Sequence, residues 1–179
     1  MLKKITVITL FIAVALSAAA CSSSNTKNAS PNPSASASEA ASPSANPDLE
    51  HNLAYIAARL AEEKVDRLFH SETSADGKPV LAAFTPDKDA AAKFLNYYMD
   101  SALTEKILAF YLTDEKADNA IVVKADKFFS ASILATASKT DVAFEASDAG
   151  FKLTTKDNGV YTVNQNADGN YIVTDYFNK

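Results

Sequence analysis

Residues 151–177 read FKLTTKDNGVYTVNQNADGNYIVTDYF. Three runs in which apolar and polar residues alternate, 151–156, 160–165 and 171–177, are separated by Asp157-Asn158-Gly159 and by Asn166-Ala167-Asp168-Gly169-Asn170. Alternation sends successive side chains to opposite faces of a strand, and Asn-Gly or Asp-Gly between such runs supplies the left-handed backbone of tight hairpins. The stretch predicts a three-stranded antiparallel meander with one face turned to a core.

Upstream, a period of two continues back to Asp118, with strands expected over 120–124 (AIVVK), 132–136 (SILAT) and 142–145 (VAFE). Before Asp118 the period is helical. Leu103, Ile107, Leu108 and Tyr111 share one face of a helix that begins near Asp100-Ser101. Ala91, Phe94, Leu95 and Tyr98 form the apolar face of a preceding helix, which this one can continue through a kink. Thr85-Pro86-Asp87 reads as its cap, first-turn proline and acid, and a short strand is expected over 80–84. Earlier still, Asn46-Pro47-Asp48 is the same start signal for a longer helix. There Leu49, Leu53, Ile56 and Leu60, then Ala61, Val65 and Leu68, recur at three and four residues to about Phe69, which predicts that this stripe is the buried face. Helices first and strands after imply an α+β fold, N-terminal helices packed on a curved antiparallel β-sheet. About 130 residues, 48–179, suit a single α+β domain.

Residues 22–47 differ in kind, being almost wholly Ser, Ala, Asn and Pro without an aromatic or branched aliphatic side chain. Such composition cannot bury enough apolar surface to offset the entropy of ordering, so 21–47 are read as a disordered tether, spanning on the order of 28 Å. Residues 1–20 carry Lys3 and Lys4, then an apolar run over 5–16, then small residues, the layout of a secretory signal peptide. That run is shorter than the roughly 20 apolar residues needed to span a bilayer.

The chain has one cysteine, Cys21, at the junction of leader and tether. Disulfides, thiolate metal sites and cysteine nucleophiles are thereby excluded from residues 48–179. The formal net charge of −5 becomes −7 once the two leader lysines are removed. An acidic balance argues against nucleic acid as a partner.

Catalytic and metal chemistry find little foothold. His51 and His70 lie 19 residues apart at the two ends of the first helix, about 28 Å, too far to share a metal. His70-Ser71-Glu72 has the composition of a hydrolytic triad, but no G-x-S-x-G elbow occurs, and four glycines leave no phosphate-cradling loop. Asp157-Asn158-Gly159 imitates part of a calcium loop without its alternating ligands or terminal glutamate. Asp114 and Glu115 are adjacent carboxylates that could in principle do acid–base work, but neighbours in what reads as a helix start are usually solvated. No catalytic residue, metal ligand or cofactor is expected. The adjacent aromatics remain as candidates for a binding surface: Tyr97, Tyr98, Tyr111, Phe128, Phe129 and Tyr176.

The junction SAAAC (17–21) resembles the lipobox of bacterial lipoproteins, with Ala18 where that pattern usually has leucine. The resemblance implies that Cys21 is alkylated by diacylglycerol and becomes the N-terminus of a protein held at the extracytoplasmic face of a bacterial cell membrane. From 87 to 176, an aromatic-rich helix, KFLNYYMDSALTEKILAFYLTDEK (93–116), precedes strands that end in DGNYIVTDYF (168–177). This layout resembles the nuclear-transport-factor-2-like or cystatin-like cones, and also the secreted D,L-endopeptidase inhibitors of Gram-positive bacteria. The second resemblance implies a non-enzymatic lipoprotein that binds an envelope protein and restrains cell-wall hydrolases. The first implies a carrier of an apolar small molecule or peptide in a cavity.

Overall fold

A computed structural model describes residues 46–179. The signal peptide expected over 1–20, Cys21 and the tether up to residue 45 lie outside the described residues.

The first helix, α1 (Pro47–Phe69), starts as its sequence predicts. Asn46 is extended, its side chain accepts the Asp48 N–H at 3.1 Å, and Pro47 takes the first helical position, where its missing N–H costs nothing. His70 closes the helix, its N–H donating to the Asp66 carbonyl and its Nδ1 lying 3.0 Å from the Asp66 carboxylate.

The face that α1 buries is not the one expected at its N-terminal half. Ala54, Ala58 and Ala61 are fully buried, followed by Val65, Leu68 and Phe69, while Leu49, Leu53 and Ile56 are 54%, 44% and 49% exposed. Small alanines let the helix axis approach the sheet closely, and the bulkier Leu/Ile stripe is left on the far side. In the C-terminal half Ala61, Val65 and Leu68 are buried as predicted.

Two short strands, β1 (Glu72–Thr73) and β2 (Pro79–Val80), follow, and the strand expected over 80–84 stops at Val80. The second helix, α2 (Lys88–Leu95), is capped by Asp87, whose carboxylate accepts the Ala90 N–H at 2.8 Å. Thr85 is not the cap; its hydroxyl donates to the Ala82 carbonyl. The third helix, α3 (Ser101–Tyr111), is capped by Asp100 and buries Leu103, Ile107, Leu108 and Tyr111, the four positions its periodicity names. It does not continue α2. The intervening backbone bonds to Val173 instead, with the Asp100 N–H donating to the Val173 carbonyl and the Val173 N–H to that of Tyr98.

Strand β3 (Leu112–Ala117) begins where α3 ends and pairs with β4 (Ala120–Val123). Its polar sequence, LTDEKA, hid it from periodicity. Asp118 and Asn119, at φ 53° and 67°, form a turn that needs two left-handed residues, a conformation short polar side chains tolerate.

The strand expected over 132–136 does not form. Residues 133–135 make a 3₁₀ turn, because Ser132 Oγ accepts the Leu134 N–H and Thr136 Oγ1 donates to the Ile133 carbonyl, local bonds that compete with strand pairing.

The last four strands, β5 (Ala143–Ser147), β6 (Gly150–Thr154), β7 (Gly159–Gln165) and β8 (Tyr171–Asn178), form the predicted meander with one strand added, in the order β5-β6-β7-β8. A second four-stranded sheet has the order β1-β2-β4-β3. The fold is α+β, with N-terminal helices packed on antiparallel sheet; two sheets stand where one was expected. Leu153, Tyr161, Val163 and Val173 of the meander join the buried faces of all three helices in one continuous core.

At the β6–β7 turn the left-handed residue is Asn158, at φ 63°, and not Gly159. Gly159 serves a different need: a Cβ there would fall 2.2 Å from the Ala131 carbonyl oxygen. Gly159→Ala is expected to lower stability by about 1–3 kcal/mol through overpacking, read as a fall in the urea midpoint at unchanged slope.

Candidate functional site

Four of the six aromatic candidates meet. Phe128 and Phe129 lie 5.8 Å and 4.8 Å from Tyr176 between ring centroids, and Phe129 stacks on Tyr161 at 5.5 Å. The Phe128 N–H donates to the Tyr111 hydroxyl and the Ala131 N–H to the Tyr176 hydroxyl, each at 2.9 Å. Tyr111 and Phe129 are buried, and burial pushes the Tyr111 phenol up to about 12. This cluster thus ties the 128–131 backbone to the core. Tyr98 and Tyr97 follow the C-terminal end of α2. Tyr98 packs edge-on to Phe94 under Lys64, and Tyr97 is 79% exposed.

The residues of the triad-like string turn to separate partners. His70 engages Asp66, the Ser71 hydroxyl donates to the Arg67 carbonyl, and the Glu72 carboxylate accepts the Ala83 N–H. Glu115 pairs with Lys78 across the hairpins, and Asp157 belongs to the β6–β7 turn. Among the described residues, no three His, Cys, Asp or Glu side chains are grouped to hold a metal ion. No described helix is long and apolar enough to cross a membrane.

Among the described residues one charged side chain is buried: Glu62, in the middle of α1, at 1% exposure. Its carboxylate accepts from the Ser132 hydroxyl, from the Ile133 N–H at 3.0 Å and from the Tyr161 hydroxyl at 2.7 Å. Arg59, one turn earlier, donates to the Ile133 and Thr136 carbonyls at 3.1 and 3.0 Å. Burial raises the Glu62 carboxyl above its ordinary value, against the pull of the three donors, and burial and the nearby Glu62 carboxylate also raise the Tyr161 phenol.

The surface that remains unexplained by the core is the far side of α1. Leu53, Ile56, Ala57 and Leu60 wall an apolar depression of about 230 Å³, closed on its other side by Gly169, Asn170 and Tyr171 at the β7–β8 turn. A second depression, about 330 Å³, adjoins it through Tyr171 and is lined by Glu50, Asp148, Gln165 and Phe151. Its neighbour His51 stacks on Phe144 at 4.4 Å and meets Phe151 edge-on at 5.0 Å, which braces the start of α1 against β5 and β6. Burial and then the Glu50 charge push the Tyr171 phenol up. Among the described residues, neither Glu50 nor Asp148 lies within ion-pair distance of a lysine or arginine, although eight other carboxylates do or pair with histidine. The two depressions share Tyr171 and together form the candidate groove, apolar along α1 and acidic at the helix start. Sequence reasoning named Leu53, Ile56 and Leu60 but assigned them to the core, and it did not name Glu50, Asp148 or Tyr171. The available signal was the alanine series beside the leucine stripe in α1.

No protein-family model matches the chain, and neither a curated protein nor a solved structure matches it.

Glu62→Ala leaves three donors unpaired and is expected to cost about 1–3 kcal/mol or more, whereas Glu62→Gln keeps the shape. A carboxyl raised in the folded state contributes stability below its ordinary value of 4.5 that is lost as pH rises through the higher folded value. Wild-type stability should carry this decline above about pH 4.5, and Glu62→Gln should remove that component in denaturation series across pH. Asp48, held down by Lys139, and Asp141, held down by Lys156, act in the opposite direction; their contribution is present above 3.8 and is lost as pH falls.

Proposed function

We propose that this chain is a non-catalytic lipoprotein, anchored through Cys21 at the outer face of a bacterial cell membrane, whose residues 46–179 dock an envelope protein. Regulation of a cell-wall hydrolase is the role that suits such a module best. The observation that carries the docking reading is the Leu49, Leu53 and Ile56 stripe, about half exposed, beside the β7–β8 turn. Large aliphatic side chains aligned along a single helix face and left in water cost free energy unless a partner covers them. The interior supports the same reading over a carrier, since Tyr161, Leu153, Val163 and Val173 fill the inner face of the meander.

Two measurements test the proposal. Metabolic labelling with a palmitate analogue should mark the wild type, and Cys21→Ser should abolish the label and release the protein from the membrane fraction; persistent membrane retention of that variant overturns the anchor. A pull-down from envelope extract should retain a wall hydrolase that Leu53→Ser/Ile56→Ser fails to retain. Both substituted residues are exposed, so the fold is expected to survive. Identical recovery by the wild type and the double variant removes the groove from the function.

A further inference from the structure

A docking role for the α1 groove is the premise here, and the chemistry of the groove then specifies the partner. We infer that the occupant is an amphipathic helical segment of another protein, bearing an apolar stripe about three turns long and a lysine or arginine at the end that meets Glu50 and Asp148.

The length comes from α1 itself. Leu49, Leu53, Ile56 and Leu60 stand at helical intervals of four, three and four residues, a row about 16 Å long. A second helix laid along such a row presents its own side chains at the same intervals, the arrangement of helix-in-groove recognition. The β7–β8 turn bounds the row on one side, with Tyr171 half-buried between the apolar and the acidic depressions.

The charge comes from the groove's end. Glu50 and Asp148 share a depression with Tyr171 and Gln165, and no cation of the described residues pairs with either carboxylate. A cationic side chain placed there meets two unpaired carboxylates, and a carboxylate placed there meets repulsion, so the depression discriminates by sign. The same rule disfavours other occupants. A second copy of this chain, which carries an excess of acidic residues, would bring acidic groups toward the acidic end. An anionic lipid surface would be repelled by it.

The test uses a fluorescent, helix-forming peptide of leucine and lysine, with leucines at the intervals of the stripe, and a twin with glutamate in place of lysine. Binding is followed by anisotropy to the full chain and to the form that begins at Cys21. The leucine–lysine peptide should bind and its glutamate twin should bind about tenfold or more weakly, with Glu50→Gln/Asp148→Asn erasing most of that difference. Leu53→Ser/Ile56→Ser should weaken both peptides. If the two peptides bind equally, or the Glu50/Asp148 variant leaves the preference intact, the partner's charge is wrong while the groove stands. If Leu53→Ser/Ile56→Ser leaves binding unchanged, the docking reading itself fails. Three further results would assign another occupant and overturn the inference: self-association in sedimentation that the Leu53/Ile56 variant abolishes, binding to phosphatidylglycerol vesicles that it abolishes, or peptide binding by the Cys21 form alone, which would place the chain's own leader in the groove.

Discussion

The carboxylate of Glu62 is the constraint on which the rest of the molecule depends. It joins α1 to Ser132 and to Tyr161, partners 70 and 99 residues away in the chain. A charge taken out of water must be matched by donors, and here two hydroxyls and a backbone N–H supply them. Between β4 and β5 the chain makes little regular structure, so its polar backbone groups need partners from elsewhere. Glu62, Arg59 and the hydroxyls of Tyr111, Tyr161 and Tyr176 provide them.

From that anchor the orientation of α1 follows. At about 100° per residue, positions 62 and 53 lie about 180° apart around the helix. With Glu62 turned to the 131–133 segment, Leu53 must point away from it, and Ile56 and Leu60 lie within the same outer arc. The alanines at 54, 58 and 61 take the face toward the meander, where their small side chains permit close approach. Gly159 permits a second close approach, that of the Ala131 backbone to the start of β7. One buried carboxylate thus places both the packed face and the exposed apolar one.

The groove is a product of this geometry and not of a motif. Its apolar wall comes from α1, its far wall from the tip of one hairpin and its acidic end from the tip of another together with Glu50. Neither depression is enclosed by the core, which is closed by aromatic side chains whose hydroxyls accept from the backbone.

Much of the fold was legible in the sequence because it rests on local rules. The cap at Asn46, the start of α3 near Asp100 and the buried positions of α3 follow from short-range hydrogen bonding and period, as do the runs and turns of the meander. β3 was hidden because its residues are polar, and the strand expected over 132–136 failed because Ser132, Thr136 and Glu62 offered its backbone better partners. The aromatic candidates could be named but not sorted, since adjacency says nothing of which ring is covered. By itself the sequence determined that helices precede an antiparallel meander and where most of them begin. Only the tertiary structure decided which stripe of α1 faces inward, because period measures spacing around a helix while burial depends on the partner that each face meets, here Glu62's donors from residues 70 to 99 positions away.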